Sequence, residues 1–293
     1  MFDAPAAPEF PTGSSATTSQ YFRYEDVTMD GRLIPIAAPA GLAGLWREVL
    51  VHHAGHKNSI RAGVIPILTR LTIHTTDQQV RVDRPFETHN GFSLAHDRDA
   101  NGAVSRIFMN IWCQIRGLAG RLGRESTGEL SLAGTVFAEH IYTRPLALPD
   151  KRRVIALGVD GLPDVPEMRY AAPAPSTAGE APPGAQWLDE LMPDATDYVF
   201  TLDQTDSNQH VNSLVYVRLF LEAVNRRLAD RGEPLRIRAK AVDVAYRKPC
   251  FAGDRVRAHV RLFRAGEQLG AAGYVTGSDD GKQRCYVRVG LGA

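Results

Sequence analysis

The sequence predicts an α+β fold in which one pattern occurs twice, a long helix followed by an antiparallel sheet. The first observation is that an apolar helical period over 211–228 is followed by four strand-like segments. The second is that the same order, helix-like and then strand-like, occurs between residues 41 and 142. The third is a segment rich in Pro, Ala and Gly at 171–186, which divides the chain into two parts.

The helix of the second part is predicted from the spacing of its apolar residues. They recur every three or four positions, which places them on one face of a helix. They are Leu214, Val217, Leu221, Val224 and Leu228. A helix with so wide an apolar face should be covered by other structure.

The strands that follow are predicted from alternation of apolar and polar residues. Residues 235–246 alternate with a phase that slips by one residue near Ala241–Val242, which predicts a β-bulge there. Further strands are predicted at 256–262, 266–275 and 283–289. One helix and one antiparallel sheet can bury their apolar surfaces only against each other. A sheet curled around a central helix satisfies this requirement, and that arrangement is the hot-dog fold.

The first part of the chain repeats this order. A strand-like segment at 21–36 precedes a helix-like segment at 41–53, and four strand candidates follow at 64–74, 86–96, 104–116 and 129–142. The sequence therefore predicts a tandem (double) hot-dog fold, with antiparallel sheets each wrapped around a long central helix. An unrelated pair of α+β domains is the alternative.

Composition sets the predicted boundaries of the domains. Residues 1–18 are rich in Ala, Pro, Ser and Thr and are predicted to be a disordered tail. The N-terminal repeat then spans 19–170 and walls the substrate pocket, whereas 187–293 is the catalytic C-terminal repeat. Between them, 171–186 lacks bulky apolar residues and is predicted to be a loose linker.

Bulk composition excludes several classes of function. The net charge of +1 gives no argument for binding nucleic acid. No run of about 18 apolar residues occurs, so no membrane span is expected. Three widely spaced cysteines predict neither a disulfide framework nor a metal site, and they favour a reducing cytoplasmic location. We expect no cofactor and no metal, and either a monomer or a homodimer.

A group of polar residues immediately before the second helix is the most informative segment. Asp206, Asn208, His210 and Asn212 lie within seven positions. Asp and Asn are common at helix starts, so simple capping is the plainest interpretation. However, a helix needs only one capping residue. The additional amide and imidazole beside an apolar helix therefore indicate a reactive site.

These residue types suit the hydrolysis of a thioester. The start of a helix offers unpaired N–H groups and a positive dipole end, which can stabilise an oxyanion by about 3 kcal/mol for each well-aimed donor. The Asn208 amide can add a donor. Imidazoles transfer protons near neutral pH, so His210 can activate water, and Asp206 can orient its ring or act as the base.

The same segment resembles the signature of plant and bacterial acyl-ACP thioesterases, which are double hot-dog enzymes. The similarity comprises Asp206-x-Asn208-x-His210-Val211-Asn212 with Tyr216 four residues later, and a second block from Tyr246 to Cys250. In that block Pro249 stands where the family usually has a glutamate implicated in catalysis. The resemblance implies one active site per chain, in the C-terminal repeat.

The resemblance also implies which residues act in catalysis and which bind substrate. Asp206, Asn208, His210 and Cys250 would be catalytic, and Val211, Asn212, Ser213 and Tyr216 would contact the substrate. Cys250 could be a nucleophile, a residue that lines the site or a packing residue. A nucleophilic thiolate would need a lowered pKa and a partner base.

The predicted substrate is an acyl thioester of acyl carrier protein, released as a free fatty acid. Alternatives are a coenzyme A thioesterase of the hydroxybenzoyl or short-chain type, a hot-dog dehydratase and a non-catalytic acyl-binding protein. Two basic runs could be solvated faces or could dock an acidic carrier protein or coenzyme A phosphates. They comprise Arg226, Arg227, Arg231, Arg236, Arg238 and Lys240, and then Arg255, Arg257 and Arg261.

Overall fold

The sheets of the two repeats join edge to edge into one antiparallel sheet, which has twelve strands in the described part of the chain. The computed structural model describes residues 2–123 and 128–292. The N-terminal repeat contributes β1 (Ser15–Tyr21), β2 (Ile65–Thr75), β3 (Pro85–Arg98), β4 (Val104–Leu118) and β5 (Leu130–Thr143). The C-terminal repeat contributes β6 (Gln186–Trp187), β7 (Met192–Pro193), β8 (Tyr198–Val199), β9 (Arg238–Tyr246), β10 (Arg255–Ala265), β11 (Gln268–Gly277) and β12 (Gln283–Gly292).

The two repeats have the same strand topology. The order across the sheet is β1-β3-β4-β5-β2 in the N-terminal repeat and β9-β12-β11-β10 in the C-terminal repeat. The short strands β6, β7 and β8 all pair with β10, so β8 corresponds to β1. Strands β2 and β9 meet antiparallel at the seam, where Leu71 lies opposite Val244. This matching order confirms the tandem hot-dog fold.

The predicted bulge occurs in β9, one residue before the expected position. Gly290 of β12 pairs with Ala241, but the next residue, Leu291, pairs with Ala239. Lys240 is therefore the extra residue. Its ammonium forms an ion pair with Asp77 at 2.8 Å, which holds the bulged residue at the surface.

The long helix of the C-terminal repeat is α3 (Ser213–Asp230), close to the predicted 211–228. It begins at residue 213 because the side chain of Asn212 accepts a hydrogen bond from the Leu214 amide at 2.9 Å and caps the helix. Its apolar face is buried against β9, β10, β11 and β12. Among the described helices, none combines the length and apolarity needed to cross a membrane.

In its described residues, the N-terminal repeat lacks the long continuous α-helix that was predicted for both repeats. In its place are a 3₁₀ segment (Pro35–Leu42), α1 (Ala43–Leu45), a π segment (Trp46–Leu50) and α2 (Ala54–Arg61). Pro39 lies inside the first segment and cannot donate a backbone hydrogen bond, which disfavours a regular helix there. Gly44 passes so close to β1 that a Cβ atom would lie 2.2 Å from Thr18 Oγ1.

The strand predicted at 21–36 is also wrong. The chain leaves the sheet at Tyr21 and forms a 3₁₀ turn at Tyr24–Asp26, because the Asp26 carboxylate accepts hydrogen bonds from both the main chain and the guanidinium of Arg23. Three other short 3₁₀ segments occur in connections. They are Pro149–Lys151, Pro175–Gly179 and Leu202–Gln204.

The N-terminal tail and the linker pack against strands of the sheet, unlike the disordered tail and loose linker that composition predicts. Phe2 is buried, and its carbonyl accepts a hydrogen bond from His74 at 2.9 Å. The Trp112 indole donates to the carbonyl of Pro5, also at 2.9 Å. Ala178 of the linker is fully buried. These segments become ordered because the sheet offers them an apolar surface, which composition alone does not describe.

An ionic cluster centred on the buried Asp243 joins the two repeats at the seam. The Asp243 carboxylate in β9 accepts two hydrogen bonds from Arg70 in β2, at 2.8 and 2.6 Å. Arg288 in β12 and the hydroxyl of Thr72 complete its shell at 3.0 and 3.1 Å. Arg70 also donates to Thr177 of the linker at 3.2 Å. The carboxylate thus holds cationic side chains from both repeats at the seam.

Candidate active site

A cavity of about 360 Å³ lies at the start of α3. On one side it is lined by Asn212, Ser213 and Leu214, the cap and first residues of the helix. The rest of its wall comes from the N-terminal repeat: Arg23, Ile36, Ala37, Pro39, Ala40, Leu42, Trp46, Leu68, Leu71, Ala138 and His140. The cavity therefore lies between the two repeats, at the helix start where the sequence places the reactive segment.

Two buried tyrosines fix the start of α3. The Tyr246 hydroxyl donates to the Ser213 carbonyl at 3.0 Å, which ties the helix start to the end of β9. The Tyr216 hydroxyl accepts a hydrogen bond from the Cys250 amide at 2.8 Å. Burial raises the pKa of both phenols above the ordinary value, so both stay protonated. Tyr216 therefore supports the site without lining the cavity.

The segment before the helix forms a tight turn. The Asp206 amide donates to the His210 carbonyl, and the Gln209 amide donates to the Asp206 carbonyl, both at 2.9 Å. The Asp206 carboxylate accepts a hydrogen bond from the Asn208 amide at 2.8 Å. Gln209 has a φ of 66°, and among the described residues it is the only one other than glycine with a positive φ. This backbone conformation is uncommon outside glycine and is often found at functional sites.

The three predicted catalytic side chains of this turn stand outside the cavity wall. Asn208 is exposed, whereas Asp206 and His210 are half-buried. The His210 ring packs edge-on against Phe251, with ring centres 5.3 Å apart. Across the described residues, no hydrogen bond joins the His210 ring to the Asp206 carboxylate. The structure thus places the turn immediately upstream of the cavity, which begins at Asn212.

Cys250 is fully buried and does not line the cavity. Its carbonyl accepts a hydrogen bond from the Val211 amide at 2.8 Å, so its backbone holds the turn. Burial raises the pKa of its thiol, although Tyr216 and Arg284 act in the opposite direction. A protonated, buried thiol is a poor nucleophile. These features fit a packing residue and do not fit the nucleophile that the sequence left open.

We therefore expect the Cys250→Ala variant to keep its turnover within about threefold of wild type, because only a packing contact is lost. Its unfolding midpoint should fall by a few degrees, in line with a cost of about 1 kcal/mol. Steady-state assays and thermal denaturation of the purified variant measure both quantities. Loss of activity in the folded variant, or rapid inactivation of wild type by a thiol reagent at neutral pH, would contradict this role.

Sequence reasoning missed the contribution of His140. This residue lies in β5, and burial lowers the pKa of its imidazole to about 4, so the ring is neutral at neutral pH. Its Nδ1 is 3.3 Å from the carbonyl of Met109, which can only accept, so Nδ1 carries the proton. Trp46 packs edge-on against the ring at 6.4 Å. The polar pair Glu139–His140 inside an apolar strand was the signal in the sequence.

Within the described residues, no three His, Cys, Asp or Glu side chains are grouped as metal ligands. The histidines His53 and His56 are instead joined by a helix cap, in which the His53 ring accepts from the His56 amide at 3.2 Å.

Comparison with known proteins gives a consistent result. Residues 195–289 match the model of the acyl-ACP thioesterase C-terminal domain. No curated protein sequence matches the chain. A protein from Lactobacillus plantarum described as an oleoyl thioesterase has a similar structure, with a TM-score of 0.62, 16% identity and 95% of each chain covered.

Two further structures share the fold over nearly the whole chain. An acyl-ACP thioesterase from Bacteroides thetaiotaomicron has a TM-score of 0.58 and 15% identity, over 95% of this chain and 98% of that chain. A 12:0-ACP thioesterase from Umbellularia californica has a TM-score of 0.56 and 13% identity, over 95% and 97%. The C-terminal repeat therefore resembles the acyl-ACP thioesterase C-terminal domain, and the chain shares its tandem fold with these three structures.

Proposed function

We propose that the protein hydrolyses acyl thioesters of acyl carrier protein, with the acyl chain in the cavity at the start of α3 and the thioester at its mouth. The observation that carries this proposal is the position of the cavity. It is bounded by Asn212 and Ser213 at the helix start and by the N-terminal repeat on its other sides.

The composition of the cavity wall suits an acyl chain. Most lining residues are apolar, and the polar ones, Arg23, His140, Asn212 and Ser213, are few. Small-molecule sites commonly combine an apolar wall with a few polar groups that fix orientation. Because His140 is neutral, its ring adds no buried charge that would oppose the entry of an alkyl chain.

The cavity has a reactive end and a deep end. Tyr246, the last residue of β9, binds the start of α3, so the cavity is reactive near Tyr246. Ala138 pairs with Leu71, and Leu71 pairs with Val244, two residues before Tyr246. At about 3.3 Å per residue, Ala138 lies about 7 Å farther along the strands, toward the methyl end of a bound chain.

The proposed chemistry uses the groups near the mouth of the cavity, which are the start of α3 and the 206–210 turn. The Asn212 side chain already binds the Leu214 amide, so α3 acts through the positive end of its dipole, which favours negative charge on the thioester oxygen. In our proposal His210 accepts a proton from water, and the resulting hydroxide attacks the carbonyl carbon. The C–S bond then breaks, and the leaving thiolate takes up the proton that His210 accepted, which restores the neutral imidazole. Asn208 donates to the developing oxyanion, and Asp206 holds the turn through the Asn208 amide.

Pro249 has no basic side chain and cannot activate water. We therefore assign water activation to the 206–210 turn. Since His210 is half-buried beside the exposed ring of Phe251, substrate at the mouth would cover it and exclude bulk water.

A thiol-release assay tests the function. Acyl groups of several chain lengths are presented on acyl carrier protein and on coenzyme A, and free thiol is measured against time. We expect release from acyl-ACP with a higher kcat/KM than from the matching acyl-CoA. Absence of thiol release from every acyl thioester would refute hydrolysis, and equal or greater efficiency with acyl-CoA would refute the preferred carrier.

A change at the deep end of the cavity tests where the acyl chain lies. We expect Ala138→Leu to lower kcat/KM for the longest accepted chain about tenfold or more and to spare short chains, because the added carbons occupy the space of the last methylenes. The control is Ala133→Leu, at a buried position of the same strand that does not line the cavity. A uniform loss over all chain lengths, or the same length dependence in the control, would contradict this placement.

A further inference from the structure

A basic loop follows β5 at the edge of the molecule. This basic loop, residues 144–153, carries the cations Arg144, Lys151, Arg152 and Arg153 and one acid, Asp150. Lys151, Arg152 and Arg153 are exposed and Arg144 is half-buried. The loop therefore concentrates positive charge in a chain whose net charge is only +1.

Carboxylates do not neutralise these cations: in the described part of the chain, no ion pair includes any of the four. Main-chain carbonyls hold the three guanidinium groups instead. Arg144 donates to Ala62 at 3.3 Å, Arg152 to Ala147 at 3.0 Å and Arg153 to Ser105 at 2.8 Å. Such bonds orient the side chains and leave their full charge available to a partner.

The basic runs that the sequence singled out differ in this respect. Many of their members are already paired with acids of this chain, which removes much of their attraction for an acidic partner. The pairs are Arg226 with Asp194, Arg227 with Asp189, Arg238 and Lys240 with Asp77, and Arg257 with Asp197. The structure therefore favours the basic loop over these runs as a docking surface.

Apolar side chains project from the same segment. Leu146 is 98% exposed and Leu148 is 66% exposed, and Ile155, just after the loop, is 53% exposed. Exposed apolar residues among unpaired cations are typical of a surface that binds another molecule. A partner that fits must present both negative charge and an apolar strip.

The basic loop lies at the reactive end of the sheet. It begins directly after Thr143, and His140, three residues earlier in β5, lines the cavity. Three residues of strand span about 10 Å. The end of β9 lies at the same end of the sheet, because Ile65 of β2 pairs with Thr143 and β2 runs antiparallel to β9. A carrier docked on the loop would thus hold its acyl arm near the mouth of the cavity.

A groove extends the positive surface. Arg153 lines a groove of about 640 Å³ together with Arg98 and Arg106. Asp97 and Asp99 also line it, but their carboxylates accept hydrogen bonds from main-chain amides of their own turn. Arg98 donates to the Gly102 carbonyl at 2.6 Å and has no acidic partner among the described residues.

We propose that the basic loop binds an acyl carrier protein through a face that carries acidic residues and an apolar strip. This contact directs the acyl arm of the carrier into the cavity. This inference rests on the proposed function. It predicts that the loop acts on carrier-bound substrate only, because the acyl group and the thioester of a carrier-free substrate reach the cavity without it.

Charge reversal in the loop tests the proposal. The double variant Lys151→Glu/Arg152→Glu changes two exposed cations that lie outside the cavity wall. We expect its kcat/KM for acyl-ACP to fall about tenfold or more at low ionic strength and the deficit to shrink at high salt. With the same acyl group on coenzyme A or on N-acetylcysteamine, the kcat/KM of the variant should equal that of wild type.

The matched control is Arg231→Glu/Arg236→Glu, at two exposed cations beyond the far end of α3. The 18-residue helix places them about 27 Å from the reactive end, so acyl-ACP turnover should not change. An unchanged rate with acyl-ACP in the loop variant would overturn the docking surface, as would an equal loss with all three substrates or an equal loss in the control. A wild-type protein that hydrolyses no acyl thioester would instead refute the proposed function.

Discussion

Replacing Asp243 with asparagine is expected to lower the free energy of unfolding by about 3–5 kcal/mol, because it leaves the buried Arg70 and the half-buried Arg288 without their counter-ion. The Asp243 side chain is 1% exposed, and those of Arg70 and Arg288 are 7% and 14% exposed. In a chain of this length the change should lower the thermal midpoint on the order of 10 °C. Chemical and thermal denaturation of purified Asp243→Asn measure both quantities.

The control for this variant is the same substitution at an exposed ion pair. Asp77 also links the two repeats, through Arg238 and Lys240, but its side chain is 59% exposed. Exposed pairs contribute about 1 kcal/mol or less, so Asp77→Asn should be nearly neutral.

A triple replacement separates the uncompensated charge from lost packing. Arg70→Met/Asp243→Leu/Arg288→Met removes all three charges at once, and it should recover much of the stability that Asp243→Asn loses. If Asp243→Asn costs no more than Asp77→Asn, or if the triple variant is the least stable, the cluster does not work as we describe.

The C-terminal repeat could be predicted closely because its signals are local. The apolar period of α3 and the alternation of β9 to β12 depend only on neighbouring residues, and the phase slip located the bulge to within one residue of Lys240. A bulge moves side chains between the faces of a sheet, so it leaves a visible mark on the alternation.

The N-terminal repeat was less predictable because contacts distant in sequence decide its shape. The packing of its helical segment against β1 depends on the close approach of Gly44 to Thr18. The order of the tail depends on His74 and Trp112, which bind the carbonyls of Phe2 and Pro5. Neither contact leaves a periodic pattern, so composition predicted disorder where the structure has a packed segment.

The candidate site was predictable in part. A motif just before a helix located the turn at 206–210 and the cavity beyond it, since helix starts carry their own signature. The wall from the N-terminal repeat, including His140 and Trp46, was missed because cavity residues from separate elements share no spacing in the sequence. The buried state of Cys250 likewise depends on strands that pack over it.

The largest effects on catalysis are expected from the turn itself. We predict that Asn208→Ala and His210→Ala each lower kcat by about 10²-fold or more, because the proposed mechanism assigns an oxyanion donor to Asn208 and the acceptor of the water proton to His210. The double variant should lose less than the product of the two, since both groups act on one transition state. Single-turnover thiol release from acyl-ACP measures the chemical step.

Controls for folding and for position show whether the loss of kcat arises in the chemical step. Asn208 and His210 lie in an exposed or half-buried turn, so both variants should keep the thermal midpoint of wild type within a few degrees. Asn225→Ala on the exposed side of α3 and His89→Ala on the exposed face of β3 make the same chemical changes far from the turn, and both should keep full activity. If His210→Ala and Asn208→Ala turn over at wild-type rates, water must be activated elsewhere in the cavity, and His140 is then the titratable group that its wall still offers.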